Sequence, residues 1–596
     1  MSQRHLPSPK ASELAVRSAL VLVGLLWFVQ VALFVWMAPR GFEFTDEAYY
    51  FLQYLHWRDL TATATFFGAV FELPFRLMGQ SIWGVRLLGL SMLLVGSSYL
   101  AYEASVHTFD RGAGWVPTDL LFLLSAMTGG MMYYGYLATL RAPSYNLLAL
   151  VSAMVATGLL LRLVRGAIRS PARRSLAFLY GLTLSVCALG KPTSGVLLTL
   201  IHITFLFSVN RIWMRQQVLP LLLFAGLGGG LALGALQLAH PQWLDVVRES
   251  LVMGAATEGR NLHGLARSFF WELQGLPWAL GLGLGVACAF VVLLGHGADP
   301  PSNGLLSIGI VALLAFCLAW IIVDWQTTVW LLMLGAATLA INAAAPRSMR
   351  RTSTLLMLLA APPALSFGTN MPVLGHSQLN AAFAWVALAV ALRLLHTSGR
   401  LGTLPLVTCL FLLCVPGAAI QLQAAFDVHR TYRLLGPLTH QDVPTWLGSE
   451  LSTLKVDPET AASVRAMSEA ARTAGWKPGM GLLDFTGDSP GWVFALGGRP
   501  MGVPWLLGGY PGSQAAAERL LSQLHELPLR QTWLLSSSMG ARRIVDWQKL
   551  LSSRIGPDSH ELIATINVPV TYQWNERQPQ RRTDIQLWRP KPTATQ

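Results

Sequence analysis

The sequence predicts a mainly α, polytopic membrane protein that carries a small soluble α/β domain at its C-terminal end. Hydrophobic residues make up 53% of the 596 residues and charged residues only 12%, with a mean hydropathy of +0.47. A soluble chain built on ordinary cores is far more polar. The apolar residues also gather into runs long enough to cross a hydrocarbon core. From about residue 422 that pattern stops, and charges, Pro, Gly and Trp appear in soluble proportions. Disulfide scaffolds, fibrous repeats and disordered chains are excluded by the same composition.

Runs of roughly 17 to 25 apolar residues fall at 18–38, 83–105, 118–136, 144–163, 175–190, 193–210, 217–239, 277–295, 304–323, 326–345, 353–371, 379–396 and 402–421. They predict a membrane domain of about thirteen helices over residues 1–421. Residues 175–210 are too long for one span, so a tight turn at Lys191-Pro192 divides them. The basic stretch before the first run shows no small-residue cleavage pattern, so that run is expected to stay as the first span. Cys187, Cys288, Cys317, Cys409 and Cys414 all lie inside apolar runs without ligand spacing, which points to neither disulfide nor zinc.

The net charge of +13 would suggest nucleic acid in a soluble protein, but here the arginines stand between apolar runs, where they orient spans. No nucleic-acid partner is expected. One set of short loops holds Arg4, Lys10, Arg17, Arg162, Arg165, Arg169, Arg173, Arg174, Arg211, Arg215, Arg347, Arg350, Arg351, Arg393 and Arg400. These are cytoplasmic by the positive-inside rule, together with the N-terminus. The long segments 39–82 and 240–276 and the domain 422–596 then lie on the outer, periplasmic face of a cell inner membrane. Within that domain Asp457-Pro458 starts a helix that Gly475 stops, and a second helical pattern covers 513–524. Short β-like runs fall at 481–486, 532–535, 562–570 and 584–588.

The most informative stretch is Gly41-Phe-Glu-Phe-Thr-Asp-Glu-Ala-Tyr-Tyr50-Phe-Leu-Gln-Tyr-Leu-His-Trp57, which puts two adjacent carboxylates, Asp46 and Glu47, directly beyond the first span. Tyr50, Tyr54 and Trp57 share a helix face, which predicts an amphipathic helix lying in the interface with its rings at headgroup depth. In the bland alternative Thr45 caps this helix and both carboxylates merely complement its dipole. The company favours chemistry. Arg141, Lys191, Arg260 and Arg267, with His263 and His376, stand on the same outer face for a phosphate-bearing ligand. Tyr50, Asn146, His263 and His376 are the candidate substrate contacts.

The Asp-Glu pair after the first helix, about thirteen spans and an outer C-terminal domain together resemble the GT-C glycosyltransferases. The likeness is to the dolichyl-phosphate-mannose protein mannosyltransferase family (family 39) and its bacterial relative, the lipid A aminoarabinose transferase, and covers roughly residues 1–420. It implies that Asp46 is the catalytic base with Glu47 as its neighbour. Leu189-Gly-Lys-Pro-Thr-Ser194 is similar to a Lys-Gly-Pro turn of that family, which implies that Lys191 meets or lines the lipid phosphate site. The chain departs from the family where relatives often carry a second Asp at the start of the fourth span. It reads Arg141-Ala-Pro-Ser-Tyr-Asn146 there, leaving Asn146 at most a hydrogen-bonding substitute.

One carboxylate suffices chemically, because a polyprenyl phosphate leaves as a stabilised anion and needs no general acid. A glycosidase, which expels a poor alcohol, needs two. Asp46 would take the proton from an acceptor hydroxyl or amine as it attacks the anomeric carbon, with inversion. The expected partners are a polyprenyl-phosphate-sugar donor, membrane lipid and a glycan, lipid or protein acceptor. No metal ligand set stands out and no cofactor is required, although a divalent cation is compatible with the chemistry. Among secondary candidates, Glu258 to Arg267 reads as a lid or a plain connector, and Phe367 to Gln378 is an outer turn carrying His376. Asp484-Phe-Thr-Gly-Asp488-Ser-Pro-Gly491 reads as an anion-binding loop or a structural turn. The run Gly497 to Tyr510 is expected to pack the tail on the membrane face through Trp505 and Tyr510. The alternative function is a transporter or flippase of a lipid-linked or small polar solute, which would place ionisable groups near the midplane and show related halves.

Overall fold

The computed structural model describes residues 9–109, 117–136, 141–166, 170–209, 211–256, 267, 310–311, 349–368, 373–427, 433–488, 490–569 and 582–592. Among them seven helical stretches are long and apolar enough to cross a membrane: Glu13–Met37, Ile82–Phe109, Tyr145–Leu163, Pro192–Val209, Gln216–Ala239, Ser377–Thr397 and Thr403–Phe426. Leu22, Phe28, Leu222, Leu223 and Leu231 stand exposed on them, as lipid-facing side chains do. The chain is a mainly α, multi-pass membrane protein. The expected spans at 277–295, 304–323 and 326–345 lie outside the described residues.

The break at Lys191 follows from proline. One helix runs Pro171–Gly190 and the next begins at Pro192, with Lys191 between them in an extended conformation. The residue before a proline is pushed out of the α region, and proline itself, lacking an N–H, fits the first turn of the following helix. Pro416 likewise stands in the opening turn of Val415–Phe426, which follows Thr403–Leu412 with αR residues between them.

The segment after the first helix, α1 (Pro9–Met37), folds into α2 (Asp46–His56) and α3 (Phe67–Leu77) before α4 (Ile82–Phe109) re-enters the membrane domain. A Cβ on Gly68 would come within 2.3 Å of the Gln53 carbonyl oxygen, so only glycine lets α3 approach α2 this closely. Glu72 of α3 completes the joint, accepting from Trp57 Nε1 at 2.7 Å and Arg76 Nε at 3.1 Å.

The C-terminal domain holds a five-stranded sheet in the order β4-β3-β5-β7-β6, from β3 (Gly481–Asp484), β4 (Arg499–Pro500), β5 (Trp533–Ser536), β6 (His560–Pro569) and β7 (Arg582–Pro590). Strands β3, β4 and β5 run parallel, while β7 pairs antiparallel with β5 and β6. A hairpin of β1 (Val443–Leu447) and β2 (Ser449–Val456) precedes them. Asp457 caps the helix Pro458–Thr473 by accepting from Thr460 N at 2.8 Å, and Gly475 ends it at φ +94°.

Backbone bonds stitch this domain to the segment between α1 and α4. Gly41 N donates to Lys455 O at 2.7 Å, Lys455 N to Pro39 O at 2.8 Å, Gly491 N to Phe44 O at 2.7 Å and Thr61 N to Gly502 O at 2.7 Å. On the far side, Arg519 of helix Ser513–Gln523 forms a bidentate pair with Glu249 of helix Trp243–Ala256. The domain therefore roofs the segment, and this changes the expected place of α2. Tyr50, Tyr54 and Trp57 are buried in protein instead of lying at headgroup depth. Tyr54 packs on Phe67, Phe71 and Phe75, while Phe51 stacks 5.3 Å from Phe494 of the tail. Trp505 and Tyr510 each meet the tail's own loops. Trp505 Nε1 donates to Gly487 O, and Tyr510 lies under the Arg542 guanidinium.

Candidate functional site

Three carboxylates, Glu43, Asp46 and Glu47, stand at the start of α2, and the structure gives each a different environment. Glu47 is fully buried. It takes a bidentate pair from Arg86 of α4, at 2.9 Å from Nε and 2.6 Å from Nη2, and accepts from Ala142 N at 3.2 Å and Glu43 N at 3.3 Å. Arg86 spends its remaining donors on the carbonyls of Ala38 (2.6 Å), Arg40 (3.3 Å) and Gly41 (2.8 Å). Glu47 and Arg86 thus form the buried anchor of the segment.

Glu43, also fully buried, does the capping that the alternative reading gave to Thr45. Its carboxylate accepts from Thr45 N at 2.9 Å and Glu47 N at 3.1 Å, whereas the Thr45 side chain makes no cap bond and donates to Glu43 instead. A carboxylate makes the better cap here because it takes two orphan N–H groups and opposes the positive end of the helix. Burial, and after it the nearby Asp46 charge, push the Glu43 carboxyl up to about 7. A carboxyl raised in the fold contributes stability that is complete below its unfolded value of 4.5 and lost as pH rises through about 7. Glu43→Gln is therefore expected to flatten the fall in unfolding temperature between about pH 4.5 and pH 7. Thermal scans of the detergent-solubilised variant across that window check this, and an unchanged slope would contradict it.

Asp46 differs from both. Its side chain keeps 31% of its surface exposed, and Oδ2 lies 3.2 Å from Nη1 of Arg433, which arrives from the connection between the last helix and the C-terminal domain. The same Nη1 donates to Thr45 Oγ1 and stands 4.0 Å from Glu43 Oε1. Nothing in the sequence around Arg433 marks it, because the contact joins residues 387 apart.

The tail loop after β3 closes on the same place. Thr486 N donates to Asp484 Oδ1 at 2.8 Å, and burial pushes Asp484 up to about 7. Asp488 is also raised by burial, opposed by the charges of Arg542 and Arg433. Gly487, at φ +70°, passes so close to Arg542 that a Cβ there would stand 2.0 Å from its carbonyl oxygen. Among the described residues no group of three or more His, Cys, Asp or Glu side chains forms a metal-binding set.

The remaining candidates scatter around this centre. Arg141 is fully buried and donates to Arg40 O, while Tyr54 Oη donates to Pro143 O, so the 141–143 turn is pinned beneath α2. Asn146 is buried with its Oδ1 unpartnered, one position from Tyr145, whose ring lies 6.3 Å from that of Tyr50. Tyr50 is buried against Phe67 at 5.8 Å. Lys191 is buried too, with Nζ 2.7 Å from Leu365 O, a carbonyl it shares with Ser194 Oγ at 2.9 Å. That carbonyl belongs to the unsatisfied C-terminal end of helix Met349–Ser366, where a cation is favoured. His376 lies buried within the field of Lys191, with Nδ1 unpartnered. Arg267 is exposed, and Arg260 and His263 lie outside the described residues.

No family model matches the chain, and no curated protein matches it. Among solved structures it is similar to ArnT from Cupriavidus metallidurans bound to undecaprenyl phosphate. That likeness has 12% identity and a TM-score of 0.42, and covers 95% of this chain and 97% of that one. It is also similar to the Archaeoglobus fulgidus oligosaccharyltransferase in complex with Zn and sulfate, at 12% identity and a TM-score of 0.49, covering 87% of this chain and 68% of that one. Likeness at this level assigns no chemistry to individual residues, so function rests on the geometry of Asp46 and its surroundings.

Proposed function

We propose that this chain is a GT-C-type glycosyltransferase that moves a sugar from a polyprenyl-phosphate donor to a hydroxyl or amine acceptor on the outer face of the membrane. Asp46 is the general base. One observation carries the reading: at the seam between membrane domain and tail, Glu43 and Glu47 are buried and committed to the protein's own donors, while Asp46 is part-exposed beside a cation. A base must reach the proton it abstracts, and an exposed carboxylate held in a fixed frame meets that condition. The departing lipid phosphate is already an anion and needs a cation near it instead of an acid.

In this reading Glu47 positions the segment and does not react. Lys191 and Arg141, both tied to backbone carbonyls, supply a positive field behind the site, and Asn146 and His376 offer unpartnered atoms to the donor headgroup. Tyr50 supports Asp46 through the aromatic packing of α2. The acceptor is a protein, lipid or glycan, and the tail domain lies in the periplasm with the N-terminus in the cytoplasm.

The test presents the purified chain with labelled polyprenyl-phosphate sugars and a crude envelope acceptor fraction. Release of free polyprenyl phosphate coupled to label in the acceptor is the expected result. Absence of turnover across a broad sugar panel, with uptake of a lipid-linked solute into vesicles, would establish a transporter instead.

A further inference from the structure

We infer that Arg433 is a ligand of the donor phosphate that exchanges its bond to Asp46 for one to the departing phosphate as the sugar is transferred. The inference rests on the transfer reading above and adds to it a residue from the C-terminal connection. Arg433 touches the proposed base directly, at 3.2 Å from Oδ2, and Thr45 Oγ1 and Glu43 surround the same guanidinium. Its side chain is 13% exposed, beside that of Asp46 at 31%. Its backbone is held at φ +55°, a left-handed conformation disfavoured for a residue with a Cβ. Strain of that kind persists where surrounding structure imposes it, and it concentrates at functional positions. Other described cations near the site are held within the fold: the Lys191 ammonium is bonded to Leu365 O, Arg86 is paired with Glu47, and Arg141 and Arg542 are buried.

The charge changes of the reaction make the exchange favourable. The acceptor O–H or N–H bond breaks and its proton passes to Asp46, while the acceptor atom forms a bond to the anomeric carbon. The bond from that carbon to the phosphate oxygen breaks, and its electron pair stays on the phosphate, turning a singly charged diester into a monoester able to carry two charges. Asp46 thereby loses its charge in the step in which the phosphate gains one. A guanidinium bonded to the first is drawn to the second. Its planar fork of five donors lets it hold both during the change. Because the new bond strengthens as the reaction advances, Arg433 favours the transition state and product over the bound donor.

The test measures binding of undecaprenyl phosphate and of its methyl diester to the purified full-length chain. Wild type, Arg433→Gln and Arg433→Lys are compared, each checked for unchanged unfolding temperature. Wild type is expected to prefer the monoester. Arg433→Gln is expected to lose roughly 10- to 100-fold in monoester affinity and far less in diester affinity. Arg433→Lys, keeping the charge without the fork, should fall between them. Folded variants that bind both lipids as wild type does, or that lose both equally, would overturn the inference while leaving the transfer reading intact. A wild type that binds neither lipid would overturn the transfer reading itself.

Discussion

Asp46→Asn is expected to reduce sugar transfer by about 10²- to 10⁴-fold, the usual contribution of a positioned general base, while the protein stays folded and still binds donor. Asparagine keeps the size and hydrogen-bonding shape of the side chain and removes its ability to accept a proton. The fold should tolerate the change because Asp46 is part-exposed, whereas the buried carboxylates that hold α2 are Glu43 and Glu47. Rate and donor affinity should therefore separate: kcat falls and donor binding changes little. Initial rates of polyprenyl phosphate release and equilibrium donor binding, measured on one preparation, make the comparison. A variant that turns over like wild type would remove Asp46 from the base role.

Glu47→Gln is expected to act on the fold first. Its carboxylate receives four donors, two of them from Arg86, with neither side chain exposed. Removing one partner of a buried pair leaves an uncompensated charge and costs about 3–5 kcal/mol. The loss should appear as a clear drop in unfolding temperature, with reduced activity as its consequence. Arg86→Met should behave similarly, and the double variant Glu47→Gln/Arg86→Met should recover part of the loss, because no lone charge then remains. A Glu47→Gln protein of wild-type stability and no activity would instead make Glu47 a reacting group.

These two adjacent residues show where the sequence was legible and where it was not. The helices and the Lys191-Pro192 break follow from local rules, apolar run length and the stereochemistry of proline, and the structure has them at Pro171–Gly190 and Pro192–Val209. The helix from Asp457-Pro458 and the strands near 481, 533, 562 and 584 were likewise local signals. By contrast, Asp46 and Glu47 are chemically alike and neighbours in the chain. What divides them is Arg86 from one direction and Arg433 from another, contacts 39 and 387 residues apart. Periodicity reports that a helix face is apolar, not what covers it. Tyr50, Tyr54 and Trp57 therefore suggested a lipid interface where the structure has Phe67, Phe71 and the roof of the tail. Glu43 was in view as part of the motif, but its capping role depends on the turn geometry that brings its carboxylate over two backbone N–H groups.

The anomeric configuration of the transferred sugar, read by NMR on product made from a donor of known configuration, tests the central claim most directly. A single base at Asp46 that activates the acceptor for direct attack predicts an inverted product. A retained configuration would require a covalent sugar intermediate on a protein nucleophile, and would contradict the assignment of Asp46 as the base of a single displacement.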